Sequence, residues 1–159
     1  SSHHLNSSPI FVAFNQLSWI PLETKVRLLE WKMRGDAIQY VARGCPPLNF
    51  DGAKSYKPRD ARESKAELVS EPKDLVSRFF PVPDDGHTIK VVRALLLAQK
   101  LSEKYANAAE PPAWLRIKDN DTWLRIHYAL LDSVENAGEE GRWVRSAGFD
   151  EAWVDMPKL

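Results

Sequence analysis

The chain has 159 residues, 43% hydrophobic and 28% charged, so it has the material for a core and is not disordered by composition. Its 22 basic and 22 acidic residues cancel, with no basic stripe, which argues against a nucleic-acid binder; no apolar run is long enough to span a bilayer. Cys45 is the only cysteine, which excludes an internal disulfide, a zinc ribbon or a redox pair and points to a reduced, cytoplasmic setting.

The first eight residues begin Ser-Ser-His-His and by themselves suit a tag remnant. A short helix is predicted after them, with Ser7 or Ser8 as N-cap, Pro9 in the first turn and Ile10, Phe11, Val12, Phe14 and Leu17 as its apolar side. The clearest helix runs from Pro21 to Arg43, stopped by Gly44 and Pro46-Pro47. Leu22, Val26, Leu29, Met33, Ala37 and Tyr40 recur at spacings of three and four and predict one buried stripe, widened by Leu28, Trp31, Ile38 and Val41. Gly35 costs about 1 kcal/mol inside a helix, which suggests close approach by another element.

Residues 49–66 are rich in Lys, Arg, Asp and Ser and read as a surface loop and nick site. Ser70-Glu71-Pro72 opens a short helix to about Phe80, ended by Pro81 and Pro83. Asp85 or Gly86 begins the next, to about Asn107, with Val91, Ala94, Leu95, Ala98, Leu101 and Tyr105 inward. Asn120 or Asp121 caps a fourth long helix over Thr122 to Asn136, with Trp123, Leu124, Ile126, Leu130, Leu131 and Val134 inward. The tail from Arg142 to Leu159 carries Trp143, Val144, Phe149, Trp153 and Val154 and is expected to dock. No segment alternates with period two beside hairpin turns, so the fold class is all-α, a helical bundle.

Five stretches carry a resemblance: His3-His4-Leu5-Asn6-Ser7-Ser8; WIPLETKVRLLEWKMRGD from Trp19 to Asp36; QYVARGCPP from Gln39 to Pro47; Asp84-Asp85-Gly86-His87 with Lys90, Val92, Arg93 and Ala94; and Trp123 to Glu135 followed by RWVRSAGFDEAWVD from Arg142 to Asp155. In this order they resemble the questin oxidase-like family of fungal polyketide clusters, and the likeness covers most of the chain outside Lys54 to Glu67. It makes His3 and His4 native residues. It implies that residues 1–159 are the C-terminal helical portion of a larger all-α oxidase domain, partnered by an N-terminal portion on this or another chain.

The resemblance also implies oxygen insertion into, or opening of, an anthraquinone-like ring of an aromatic polyketide by O2. Two cofactor readings follow from it. One is non-haem Fe(II) held by histidines and a carboxylated lysine. The other is a metal-free, NADPH-dependent Baeyer–Villiger-type oxidase. No flavin or nicotinamide phosphate turn occurs, since Gly138 and Gly141 lie in an acidic turn without the strand-to-helix context. An iron site needs imidazole or carboxylate ligands around an open position.

His87, at the start of a helix, is the first candidate ligand; a helix-capping histidine is the alternative. His3 and His4 are adjacent and point apart on any regular element, so one of them ligates, with His4 preferred. His127 reads as a buried neutral histidine. Lys32 lies at the edge of the apolar stripe. Burial would favour its neutral amine, which can add carbon dioxide to give a carbamate ligand; pairing with Asp36 at i+4 is the alternative. Arg93 is the candidate cation for a phenolate, with Arg145 and Asp150 also at matching positions, and the tryptophans are candidate stacking surfaces. A helical interaction module with structural histidines is the rival of a different class.

Overall fold

The structure, a computed structural model, describes residues 2–45, 47–64, 67–135 and 149–154. Among them all regular structure is helical, and no helix is long and apolar enough to cross a membrane. The chain divides into two compact units, residues 1–48 with 143–159 and residues 49–142.

In the first unit, α1 (Ser2–Gln16) packs on α2 (Leu22–Val41). α1 starts earlier than predicted, so Pro9 lies inside it. Proline removes one N–H from the ladder. The Ser7 and Ser8 hydroxyls, expected as caps, instead donate to the His4 carbonyl, at 2.9 and 3.3 Å. A short turn buries Ile20, and Lys25 Nζ donates to the Asn15 carbonyl at 3.0 Å. α2 ends in two left-handed residues, Gly44 and Cys45, whose N–H groups return to Val41 and Tyr40.

The predicted stripe on α2 is present as a pattern but is not buried. Leu22, Val26, Leu29, Met33 and Tyr40 are all exposed, Leu22 at 77% and Met33 at 65%, and α2 buries no residue fully. The face that meets α1 carries Lys25, Lys32 and Asp36 instead, about a quarter-turn away at 100° per residue. Gly35 faces open space, because a Cβ there would meet nothing within 4 Å, so it accommodates no close approach. The described end of the tail, a single helical turn at Asp150–Trp153, leaves Phe149 and Val154 exposed. One turn is too short to present a docking face; Trp143 and Val144 lie outside the described residues.

The second unit holds a core of Leu75, Phe79, Val92, Leu124, Tyr128, Leu131 and Val134. It is built from a 3-10 turn (Pro72–Leu75), α4 (Val76–Phe79), α5 (His87–Ala106) and α6 (Asn120–Val134). The buried residues of α6, Trp123, Leu124, His127, Tyr128, Leu131 and Val134, keep the three–four spacing of one helix face. On α5 the buried face is Thr88, Val91, Val92 and Ala94, and it fades distally: Leu101 and Tyr105, expected inside, are exposed.

The stretch expected as a surface loop over 49–66 holds regular turns in its described part, 49–64. Asn49 caps α3 (Phe50–Ser55), accepting from the Gly52 N–H at 2.7 Å, and α3 packs on α6. A π-helical turn follows at Asp60–Ser64. Tyr56 Oη and the Arg59 N–H donate to Asp132, at 2.7 and 2.8 Å, and Arg125 donates to the Tyr56 carbonyl at 2.6 Å. Burial first, then the Asp132 carboxylate, push the Tyr56 phenol up to about 12. Arg78 joins Asp60 to Glu135, and Arg59 also reaches Glu135 at 2.8 Å.

Gly86, one of the two predicted starts, is the N-cap residue of α5, with Asp84 just before it as the side-chain acceptor; the α6 cap lies one residue upstream of the predicted pair, at Asp119. Asp84 caps α5: its carboxylate accepts from the Gly86 and Thr88 N–H groups, both at 2.7 Å, and from the Thr88 hydroxyl. Asp119 caps α6, accepting from the Thr122 N–H at 2.7 Å. Asp84→Ala removes the acceptor for two N–H groups and for a buried hydroxyl. Denaturant unfolding should show a loss of about 1 kcal/mol.

Candidate functional site

The first unit brings three polar side chains together at the seam of α1 and α2. His4 comes from the first turns of α1; Lys32 and Asp36 come from adjacent turns of α2. One oxygen of Asp36 is hydrogen-bonded to His4 Nδ1 and the other to Lys32 Nζ. The cluster is sheltered: the Lys32 side chain is 12% exposed and the other two are part-buried. Burial pushes the Asp36 pKa up, but the hydrogen bonds from Lys32 and His4 outweigh it and hold the carboxyl below its ordinary range. The i, i+4 contact of Lys32 with Asp36 is therefore present.

His3 is exposed while its neighbour His4 is part-buried, as adjacent helical residues require. The contact of His4 with Asp36 spans 32 residues of sequence and two helices, and no local signal announces it.

In the second unit His87 is the first residue of α5 and is part-buried. Its Nδ1 pairs with Asp85, whose carboxyl is held below its ordinary range chiefly by the hydrogen bond from His87. Arg93, expected to be a buried cation, is exposed. It projects from α5 opposite Thr88, Val92 and Leu95, so the helix turn that buries the apolar side turns Arg93 outward. Asp150 is exposed and Arg145 lies outside the described residues. Of the tryptophans, Trp123 is buried in the core, while Trp19 and Trp31 are largely exposed.

His127 is fully buried. Its Nδ1–H donates to the Trp123 carbonyl at 2.8 Å, and Nε2 meets no hydrogen-bond partner among the described residues. Burial holds its pKa below the ordinary value, more than the hydrogen bond raises it. The same unit has a groove lined by Glu71, Gln99, Glu103, Lys118 and Trp123. That lining is mostly polar and suits a flat apolar ring poorly.

Two imidazoles, His4 and His87, thus each have Nδ1 against a carboxylate. Metal-bound histidines recur in this arrangement, with the carboxylate fixing the ring and Nε2 directed to the metal. The donor types fit a non-haem metal. Among the described residues no three His, Cys, Asp or Glu side chains converge as a metal site.

A family model described as questin oxidase-like matches residues 1–95, which include the His4, Lys32, Asp36 and His87 positions. The chain belongs to the questin oxidase-like family. Curated relatives extend the match over nearly the whole chain. It is 31% identical to "Oxidoreductase AflY" of Aspergillus parasiticus over 99% of its length, covering 35% of that protein. It is 33% identical to "Baeyer-Villiger oxidase mdpL" of Emericella nidulans, covering 97% of this chain and 32% of that one. It is 30% identical to "Questin oxidase" of Aspergillus fumigatus, covering 99% and 33%. The chain therefore spans about a third of the length of the curated relatives it matches. No solved structure matches it.

Proposed function

We propose that this chain is part of an oxygenase that inserts oxygen into an aromatic polyketide ring of the anthraquinone kind, using O2 and non-haem Fe(II). The observation that carries the iron reading is the His4–Asp36 pair, an imidazole on one helix oriented by a carboxylate on the next. The names of the relatives, a questin oxidase and a Baeyer–Villiger oxidase, supply the reaction class.

In this reading a bound iron would supply the activation of dioxygen beside an electron-rich ring. His4 is the ligand from the first unit, through Nε2. His87, backed by Asp85, shows the same imidazole–carboxylate arrangement within the second unit taken by itself. Lys32, as an ammonium, balances Asp36 and forms a charged wall. Its carbamate form would set a second anion against Asp36, so it requires release from that carboxylate. Further ligands are assigned to the additional length that the curated relatives possess.

Elemental analysis tests the reading. A family member carrying these residues, purified without chelators, should contain iron in stoichiometric amount. His4→Ala should lose most of it and lower turnover by at least about 100-fold, the upper end for a second-shell loss. Full turnover without metal, supported by NADPH, would replace this reading with the metal-free oxidase. Intact-protein mass under carbon dioxide separates the Lys32 forms by the mass of one CO2.

A further inference from the structure

We propose that Asp36 is a positioning residue: it holds the His4 imidazole in the Nδ1–H tautomer, with Nε2 as the lone-pair nitrogen, and Lys32 anchors the carboxylate that does so. This role rests on the reading of His4 as a ligand, but it concerns the state of the ring before any metal is present.

The geometry divides the work of the carboxylate. Its two oxygens are assigned to different partners, Oδ1 to His4 on α1 and Oδ2 to Lys32 on α2. A neutral imidazole carries one proton, and the nitrogen that holds it is set by the hydrogen bond it makes. A carboxylate is acceptor-only, so Nδ1 must be the donor and Nε2 is left with its lone pair. Lys32 lies one helical turn from Asp36, on the same α2 face. Its hydrogen bond to Oδ2 fixes the carboxylate rotamer. Lys32 thus acts through Asp36, and Asp36 through His4.

A second feature fits this role. The His4 carbonyl accepts from both the Ser7 and Ser8 hydroxyls, in the stretch of α1 just before Pro9. The backbone of His4 is therefore held by these hydroxyls, while Asp36 holds its ring. A residue of the first helical turns would otherwise be prone to fray.

The test is nitrogen NMR on the metal-free chain, at a pH above the ordinary histidine range. Two-bond correlations to the ring protons report which His4 nitrogen is protonated. The wild type should show Nδ1–H with a pyridine-like Nε2. Asp36→Ala should lose that preference. Asp36→Asn, whose amide oxygen can still accept, should retain it. An Nε2–H ring in the wild type, or an unchanged tautomer in Asp36→Ala, would overturn the proposal. The wild-type spectrum alone can do so, even where Asp36→Ala disturbs the helix pair. In a metal-loaded family member, Asp36→Ala should weaken Fe(II) binding about 10- to 100-fold. Absence of any iron site with the tautomer as stated would refute the iron reading and leave only the tautomer assignment standing.

Discussion

Lowering the pH from 7 to 5 is expected to destabilise the unit of residues 49–142 by up to about 2 kcal/mol, with His127 as the main cause. The ring is fully buried, and Nε2 faces the interior with no hydrogen-bond partner among the described residues. Protonation would place an unpaired N–H and a charge there. Burial accordingly holds the folded pKa below the ordinary value of 6.5. As pH falls through 6.5, the unfolded chain takes up a proton that the folded chain refuses. The stability is complete above 6.5 and is lost as pH falls towards the folded pKa, at most about 1.4 kcal/mol per unit.

The carboxylates act in a separate window. Asp60 is held below its ordinary range chiefly by the hydrogen bond from Arg78. For Asp119, burial raises the pKa but the Thr122 N–H and hydroxyl outweigh it. These groups stabilise the fold above their ordinary value of 3.8 and lose that contribution only below it. Urea unfolding at a series of pH values, followed by tryptophan fluorescence, resolves the two. His127→Gln should be less stable at neutral pH yet nearly flat between pH 7 and 5. A slope as steep as that of the wild type would remove His127 from the explanation.

The helices were legible in the sequence where their apolar periodicity is satisfied within one unit. Trp123, Leu124, Leu131 and Val134 read as one face of α6 and are buried as one face. α2 was legible as a helix from its periodicity and its Pro and Gly boundaries, but not in its burial. Periodicity says which side chains share a face; what covers that face depends on a partner the pattern does not name. The short α3 escaped notice because its six residues, Phe50 to Ser55, are mostly small or polar and form no stripe. Gly86 was legible as the start of α5, but the acceptor roles of Asp84 and Asp119 were not, because they depend on how far a carboxylate reaches into the first turn.

The candidate site divides in the same way. Pairing of Lys32 with Asp36 is local, one helical turn apart, and the spacing alone offered it. Joining His4 to the same carboxylate requires the packing of α1 on α2, which single-residue reasoning does not reach. For Arg93, a matching position suggested a role, while the helix phase set by Thr88 and Val92 decided its exposure.

Val26→Glu combined with Met33→Glu is expected to convert a self-associating chain into a dispersed one without loss of fold. Leu22, Val26, Leu29, Met33 and Tyr40 form a continuous apolar seam about five turns long, and all are exposed. Trp31 and Ile38 flank it, also exposed, at 69% and 65%. A contiguous patch of this kind drives association in water. Sedimentation velocity should show the wild type growing with concentration and binding an apolar dye, and the double variant should do neither. Its unfolding free energy should change by no more than about 0.5 kcal/mol, because neither side chain belongs to a core. A wild type that stays monomeric and binds no dye would show that the seam is not apolar enough to matter.

The same two substitutions in a questin oxidase-like protein of the relatives' length ask a different question. The chain spans only about a third of those proteins, and the seam repeats at the spacing that another helix would match. Where a helix covers it, two carboxylates would be buried without partners, and the loss should reach about 3 kcal/mol or more. Tolerance in the short chain and intolerance in the long one would together identify the seam as an internal packing surface of the larger fold. Equal tolerance in both would leave that face of α2 an outer one in the longer protein as well.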